Sequence, residues 1–168
     1  MRSLFFLSVL VITFLGCSSN KDSNPVSNEY AATGFVRASV NGLSWYSNAI
    51  STSYSGNTRY FRATQSIVNN PNFSSSILEF WISINQTGVF SIGEKDPGYT
   101  YAVRSAYTLK SASGTGDEIY KAHFQNYSFL TVSGISSSNL DAVFVFRAFT
   151  EDTLISVVVS DGVIKVDY

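Results

Sequence analysis

The 168-residue sequence is poor in the residues on which many enzymatic and metal sites depend. It holds one cysteine, one histidine, one methionine and three prolines, and only 14% of its residues are charged. A single cysteine excludes an intrachain disulfide, and a single histidine excludes metal sites built from several imidazoles. The formal net charge is −1, and no basic cluster suggests nucleic-acid binding. We therefore expect no metal, no cofactor and no nucleic-acid partner.

Catalytic groups are equally sparse. His123 could support a nucleophile only together with a serine and an acid, and the sequence has no GxSxG motif that would raise a serine. The candidate acids are Asp117, Glu118 and Asp141. The alternating segment KAHFQNY favours a half-exposed structural histidine. A calcium loop at GEKDPG, residues 93–98, is a weak alternative that lacks the acidic pattern of an EF-hand. The sequence predicts that the protein is not an enzyme.

The longest apolar run lies at the N-terminus. Residues 4–15 are apolar apart from one serine and one threonine, and they follow a short basic start. This pattern is typical of a secretory signal. The run is shorter than the about 20 residues that a transmembrane helix needs. We predict a signal peptide over residues 1–16.

The only cysteine, Cys17, directly follows that run. Phe14, Leu15, Gly16 and Cys17 resemble the lipobox of bacterial lipoproteins, whose strict form has Leu and then a small residue in the first two places. The resemblance implies cleavage before Cys17 and attachment of a diacylglyceryl group to its thiol. More than one acyl chain gives stable anchoring. The alternative is an ordinary signal peptide followed by a free thiol.

The residues after Cys17 indicate how and where the domain is held. Residues 17–28 are rich in serine and asparagine and predict a flexible tether. Ser18 stands where an aspartate would, by analogy with enteric bacteria, indicate inner-membrane retention. We therefore expect a protein anchored in the bacterial outer membrane, with its domain facing either the periplasm or the surface.

Residues 29–168 predict a single all-β domain. Leu78, Phe80 and Ile82 alternate with Glu79 and Trp81, and similar period-two segments recur along the chain. The Asn-Gly pair in GFVRASVNGLSWYSN predicts a hairpin, and the Asp-Gly pair between LISVVVS and VIKVDY predicts a closing one. About ten such strands favour an antiparallel β-sandwich, with a lipocalin-like β-barrel as the alternative.

Aromatic side chains, 15% of the residues, are the leading binding candidates. Trp81 is predicted to project opposite the apolar stripe of its strand, and Tyr99, Tyr101 and Tyr107 share one face of another strand. Flat rings beside hydroxyls and amides can stack on sugars or contact a protein. The alternative is that these rings pack in the core.

The domain also resembles a known group of proteins. The segments ASVNGLSW, TGVFSIG, LTVSGI, AVFVFRAF and VSDGVIKVDY are similar to those of small Bacteroidota-type lipoproteins of unknown function. The resemblance implies a β-sandwich outside the cytoplasm and no catalytic residues. Three functions stay open: a non-enzymatic domain that binds a glycan or protein, a structural envelope lipoprotein, and a carrier of an apolar ligand.

The lipid anchor can be tested directly. We expect cells that express the native chain to incorporate labelled palmitate into it, and Cys17→Ser to abolish the label because the acceptor thiol is gone. Equal labelling of the two chains would contradict the anchor.

Overall fold

The computed structural model describes residues 30–93, 101–123, 127–152 and 154–168. The signal peptide, Cys17, the tether and Tyr99 lie outside the described residues, as does the calcium-loop segment beyond Gly93. The described residues form an all-β fold without helices, as predicted. None of them forms a helix that is long and apolar enough to cross a membrane.

The eleven strands found in these residues are β1 (Tyr30–Val40), β2 (Leu43–Ser47), β3 (Ala49–Ser55), β4 (Thr58–Ser66), β5 (Phe73–Ile82), β6 (Gly88–Ser91), β7 (Val103–Ser111), β8 (Glu118–Ala122), β9 (Phe129–Ile135), β10 (Asn139–Phe149) and β11 (Ser156–Asp167). Hydrogen-bonded neighbours follow the order β11-β1-β3-β4-β5-β7-β8-β10-β9-β6. In addition, β2 pairs with β1, and β10 pairs with β11. The named strands all pair antiparallel.

Side chains from strands that are not neighbours meet in the interior, which gives the fold its sandwich-like form. The ring of Phe80 in β5 lies 4.8 Å from the ring of Phe144 and 6.0 Å from that of Phe146, both in β10. Inward residues alternate with outward ones along each of these strands. The predicted antiparallel sandwich is confirmed.

Strand β1 joins the layer that contains β3, β4 and β5 to the layer that contains β10 and β11. Its first residues, 30–32, pair with β3, whereas residues 33–40 pair with β11. Gly34 lies where the partner changes and has φ +116, and a Cβ there would collide with the backbone carbonyl of Lys165. Only glycine combines this angle with such a close approach. Strand β1 thus connects the two layers at one corner, and β8, which pairs with both β7 and β10, connects them at another.

The predicted Asn-Gly hairpin is confirmed. Val40 pairs with Leu43, and the two residues between them, Asn41 and Gly42, have φ values of 49 and 80. These positive angles are those that a type I′ turn requires, and they explain why this dipeptide connects β1 to β2.

The predicted closing hairpin at Asp161-Gly162 is wrong. Residues 156–167 form one continuous strand, β11, and the dipeptide is a bulge where the pairing with both β1 and β10 shifts register. Asp161 has φ 51, so the dipeptide supplies the same backbone freedom that a turn would use. A Cβ on Gly162 would overlap the Phe144 ring.

Two further features of the strand pattern differ from the sequence prediction. The sequence EIYKAHFQNYSFLTVSGI, residues 118–135, predicts one long strand, but this segment forms β8 and β9, with Tyr127 in a turn between them. Strand β3 was not predicted, because its inward positions hold Ile50 and Thr52 among serines rather than a continuous apolar stripe.

The space over Gly162 gives a stability prediction. We expect Gly162→Ala to lower the free energy of unfolding by about 1–3 kcal/mol, because the methyl group must displace the Phe144 ring. Gly134→Ala is the control: its Cβ would stand 3.4 Å from that of Asp141, an ordinary contact, so we expect a change within about 0.5 kcal/mol. Chemical denaturation measures both. Partial rescue by Phe144→Leu is expected in Gly162→Ala alone, and equal effects of the two glycine variants would contradict the packing argument.

Candidate functional site

Of the aromatic residues proposed from the sequence, Trp81 and Tyr107 are not brought together, and Tyr99 lies outside the described residues. Trp81 is half-buried on the outer face of β5, opposite the apolar stripe, as predicted. Tyr107 lies on the inner face of β7 and is only 7% exposed, with its ring 6.1 Å from that of Tyr120. Tyr101 is half-buried and lies two residues before the start of β7. Because Tyr107 pairs with Leu78 and Trp81 pairs with Arg104, Trp81 and Tyr107 occupy opposite faces of the sheet.

Trp81 forms part of an aromatic and charged cluster on the outer face of β4, β5 and β7. Its ring lies 5.3 Å from the ring of Tyr60, at an angle of 43°. The guanidinium group of Arg104 lies 5.4 Å from the centre of the Trp81 ring. A cation at this distance is attracted by the ring face, so Arg104 occupies one possible stacking surface.

The carboxylate of Glu79 fixes the other side of this outer cluster. It accepts a short hydrogen bond from the Tyr60 hydroxyl and forms an ion pair with Arg62, whose Nη2 lies 3.1 Å away. It also accepts a hydrogen bond from the Thr108 hydroxyl at 3.5 Å. The Glu79 side chain is only 13% exposed. Burial raises the pKa of Tyr60, and the bond to Glu79 raises it further, so the phenol stays protonated and donates.

A different feature has the form of a small-ligand site. We call it the Arg59 cleft: it has a volume of about 530 Å³ and lies between the β3–β4 turn, the segment after β5 and the β9–β10 turn. This volume is within the range of ligand pockets. Its polar lining comes from Asn57, Arg59, Ser83, Asn85, Ser136 and Ser137, and Tyr54 adds an aromatic ring.

Arg59 occupies an inward position at the end of β4 and is only 7% exposed. Its Nη2 donates to the carbonyl of Ser136 at 2.6 Å, and Nη1 donates to the carbonyl of Asn139 at 3.3 Å and to the hydroxyl of Tyr168 at 3.0 Å. The charged group lies 4.3 Å from the ring centre of Tyr168 and 5.2 Å from that of Tyr54. In the part of the chain that the structure describes, no carboxylate pairs with it.

The β9–β10 turn is shaped to meet this arginine. The Ser136 hydroxyl accepts hydrogen bonds from the backbone N–H groups of Ser138 and Asn139, both at 3.1 Å. The side chain thereby satisfies the turn's own donors. The carbonyls of Ser136 and Asn139 are left to accept from Arg59.

Burial also acts on Tyr168, whose phenol contacts Arg59. Loss of water contact raises the pKa of Tyr168 to about 12, although the positive charge of Arg59 opposes the shift. The neutral phenol therefore accepts a hydrogen bond from Arg59 and supplies no negative charge to the cleft.

Sequence reasoning did not identify Arg59 as a candidate site residue. A signal was present: in RYFRATQ, Arg59 shares the period-two face of Phe61 and Ala63, both of which are fully buried. An arginine in register with core residues indicates either a salt bridge in the interior or a site at the end of the sheet.

The residues considered for catalysis are dispersed. The ring of His123 packs edge-on against Phe149, with centroids 5.4 Å apart, and within the described ranges it makes no hydrogen bond to a serine or an acid. Asp117 pairs with Lys110 at 2.5 Å, which lowers the pKa of that carboxyl. Glu118 accepts a hydrogen bond from Tyr120 at 2.7 Å. No group of three potential metal-ligating side chains occurs among the residues described.

The environment of Tyr168 predicts an alkaline transition. The pKa of Tyr168 in the folded protein is about 12, whereas the ordinary value of 10.0 applies to the unfolded chain. The contribution of the protonated phenol to the free energy of unfolding is therefore fully present below pH 10 and is lost as the pH rises through 12. We expect the free energy of unfolding to fall over this range and Tyr168→Phe to remove part of the fall. Denaturant titrations at several pH values measure it. An unchanged fall in the variant would assign the effect to Tyr60 and Tyr120, whose pKa values are also raised.

Comparison with known proteins finds no relative of this chain. No protein-family model matches the chain, and neither a curated protein nor a solved structure does so. A functional proposal for this protein therefore depends on its own residues.

Proposed function

We propose that the protein is a lipid-anchored, non-enzymatic binding protein of the bacterial outer membrane, and that its β-sandwich binds a glycan in the Arg59 cleft. The membrane would be contacted through the acylated Cys17, and residues 17–28 would act as the tether. The single observation that carries the binding proposal is the polar cleft at the end of the sandwich.

The composition of the cleft suits a ligand rich in hydroxyl groups. Serine hydroxyls and asparagine amides both donate and accept hydrogen bonds, as sugar hydroxyls do. Tyr54 is 47% exposed and lines the same cleft, so part of its surface is available to a sugar ring. Polar groups for orientation beside one aromatic surface are the usual means by which a pocket holds a small polar ligand.

A second candidate is a carbohydrate-binding face on the outer side of the sheet. The adjacent rings of Trp81 and Tyr60 favour it. Arg104 over Trp81 and the carboxylate bound to Tyr60 already engage these two side chains. An arginine lies over Tyr54 as well, but Tyr54 is exposed whereas Trp81 is half-buried, so Tyr54 offers more ring surface and we place the outer face second.

The cleft can be tested with two tyrosines of similar exposure. We expect Tyr54→Ala to weaken binding of an oligosaccharide by about tenfold, because the stacking surface is lost. Tyr46→Ala is the matched control: Tyr46 is 51% exposed and lies on β2, outside the cleft, so binding should be unchanged. Calorimetric titration of the full chain in detergent with trimers of glucose, galactose and galacturonate measures both variants.

The other outcomes distinguish the remaining functions. If Trp81→Ala abolishes binding and Tyr54→Ala does not, the outer face is the binding site. If no saccharide in the set binds the wild-type chain, the glycan proposal fails and a structural envelope role becomes the leading interpretation.

A further inference from the structure

We infer that the ligand of the Arg59 cleft carries a carboxylate, and that the cleft is a subsite for an acidic sugar in which Arg59 supplies the complementary charge. This inference rests on the proposed function and narrows it from glycans in general to those with a uronate-type acid group. Three features of the cleft support it: the charge of Arg59, its incomplete hydrogen bonding, and the absence of acids from the described lining.

The charge of Arg59 is not neutralised by the residues that contact it. A guanidinium group remains protonated in proteins. The groups around Arg59 are two backbone carbonyls, a neutral phenol and two aromatic rings, which contribute only partial charges. A buried charge without an ionic partner is costly, and an anion nearby would lower that cost. The cleft is the open space beside this charge.

The hydrogen-bonding capacity of Arg59 is also incomplete. A guanidinium has five N–H donors. The structure assigns three of them, both of Nη1 and one of Nη2, to Asn139, Tyr168 and Ser136, so among the described residues the second N–H of Nη2 has no acceptor. The Nε also has no partner, but it is enclosed by protein and is not accessible to a ligand. A carboxylate in the cleft can accept a charge-assisted hydrogen bond from this remaining Nη2 donor.

The rest of the lining is compatible with an anion. The lining residues that the structure describes include no aspartate or glutamate, so no negative side chain from them opposes a carboxylate. The amides of Asn57 and Asn85 can donate to it or to neighbouring sugar hydroxyls. The alternative role for Arg59 is purely structural, in which it only holds the β9–β10 turn against β4.

Matched ligands test the inference on the unaltered protein. We would titrate the full chain in detergent with trigalacturonate and with its methyl ester, which has the same sugar ring but no charge. We expect the acid to bind at least about tenfold more tightly than the ester. Added salt should weaken binding of the acid more than that of the ester.

Two arginine variants assign the effect to the cleft. Arg59→Met removes the charge at similar length and should abolish the preference for the acid. The control, Arg147→Met, removes the same charge from an exposed arginine that also lies over an aromatic ring, 5.3 Å from the Phe149 centroid, and should keep the preference. Because Arg59→Met could disturb folding, Ser137→Asp provides a second variant: it places a negative charge on an exposed turn at the cleft and should weaken binding of the acid selectively.

Each other outcome overturns a defined statement. Equal binding of acid and ester would refute the carboxylate subsite and leave the glycan proposal standing. Binding of neither ligand, nor of the neutral trimers, would refute both. A preference for the acid that survives Arg59→Met and Ser137→Asp, or that Arg147→Met removes equally, would show nonspecific attraction and would refute the assignment to Arg59.

Discussion

The contact of Phe80 with Phe144 and Phe146 joins the two layers, and the rest of the structure depends on it. With no intrachain disulfide possible, the layers are held by packing and by the strands that pass between them. Phe144 reaches Phe80 with its ring against Gly162, at the bulge of β11. The bulge in β11 thus permits the aromatic contact that positions β5 in the opposite layer. Because β4 pairs with β5, this contact positions β4 as well. Arg59 stands at the end of that positioned strand, so the geometry of the cleft derives from the core.

The strands could be predicted from the sequence wherever the two faces of a strand differ clearly in polarity. The β5 alternation and the Asn-Gly turn are local signals, and each was sufficient for a correct prediction. The Asp-Gly pair failed because positive φ angles serve a bulge as well as a turn, and only the partners on both sides of β11 decide between them. Strand β3 escaped because serine and threonine at its inward positions give no apolar period.

The candidate site was less predictable than the fold because its parts are distant in sequence. Arg59 meets Ser136, 77 positions away, and Tyr168, 109 positions away. Period-two reasoning gives the face of a strand and not the end at which an inward residue lies, nor which turns cover it. The same reasoning explains Tyr107, which shares the inner face of β7 with fully buried Val103 and is therefore part of the core side. Trp81 was correctly placed outside, but its neighbour Arg104 comes from another strand.

The position of Arg59 also has an energetic implication. In many proteins an apolar residue of similar size is as stabilising as a buried ionic group, or more so, and here the arginine has no ionic partner among the described residues. The hydrogen bonds to the β9–β10 turn recover part of the desolvation cost, yet the buried Nε recovers none. A chain with few charges that retains one at an inward position sacrifices some stability there. Functional sites are where such a sacrifice is expected, because a charge that the protein leaves without an ionic partner can attract a ligand of opposite charge.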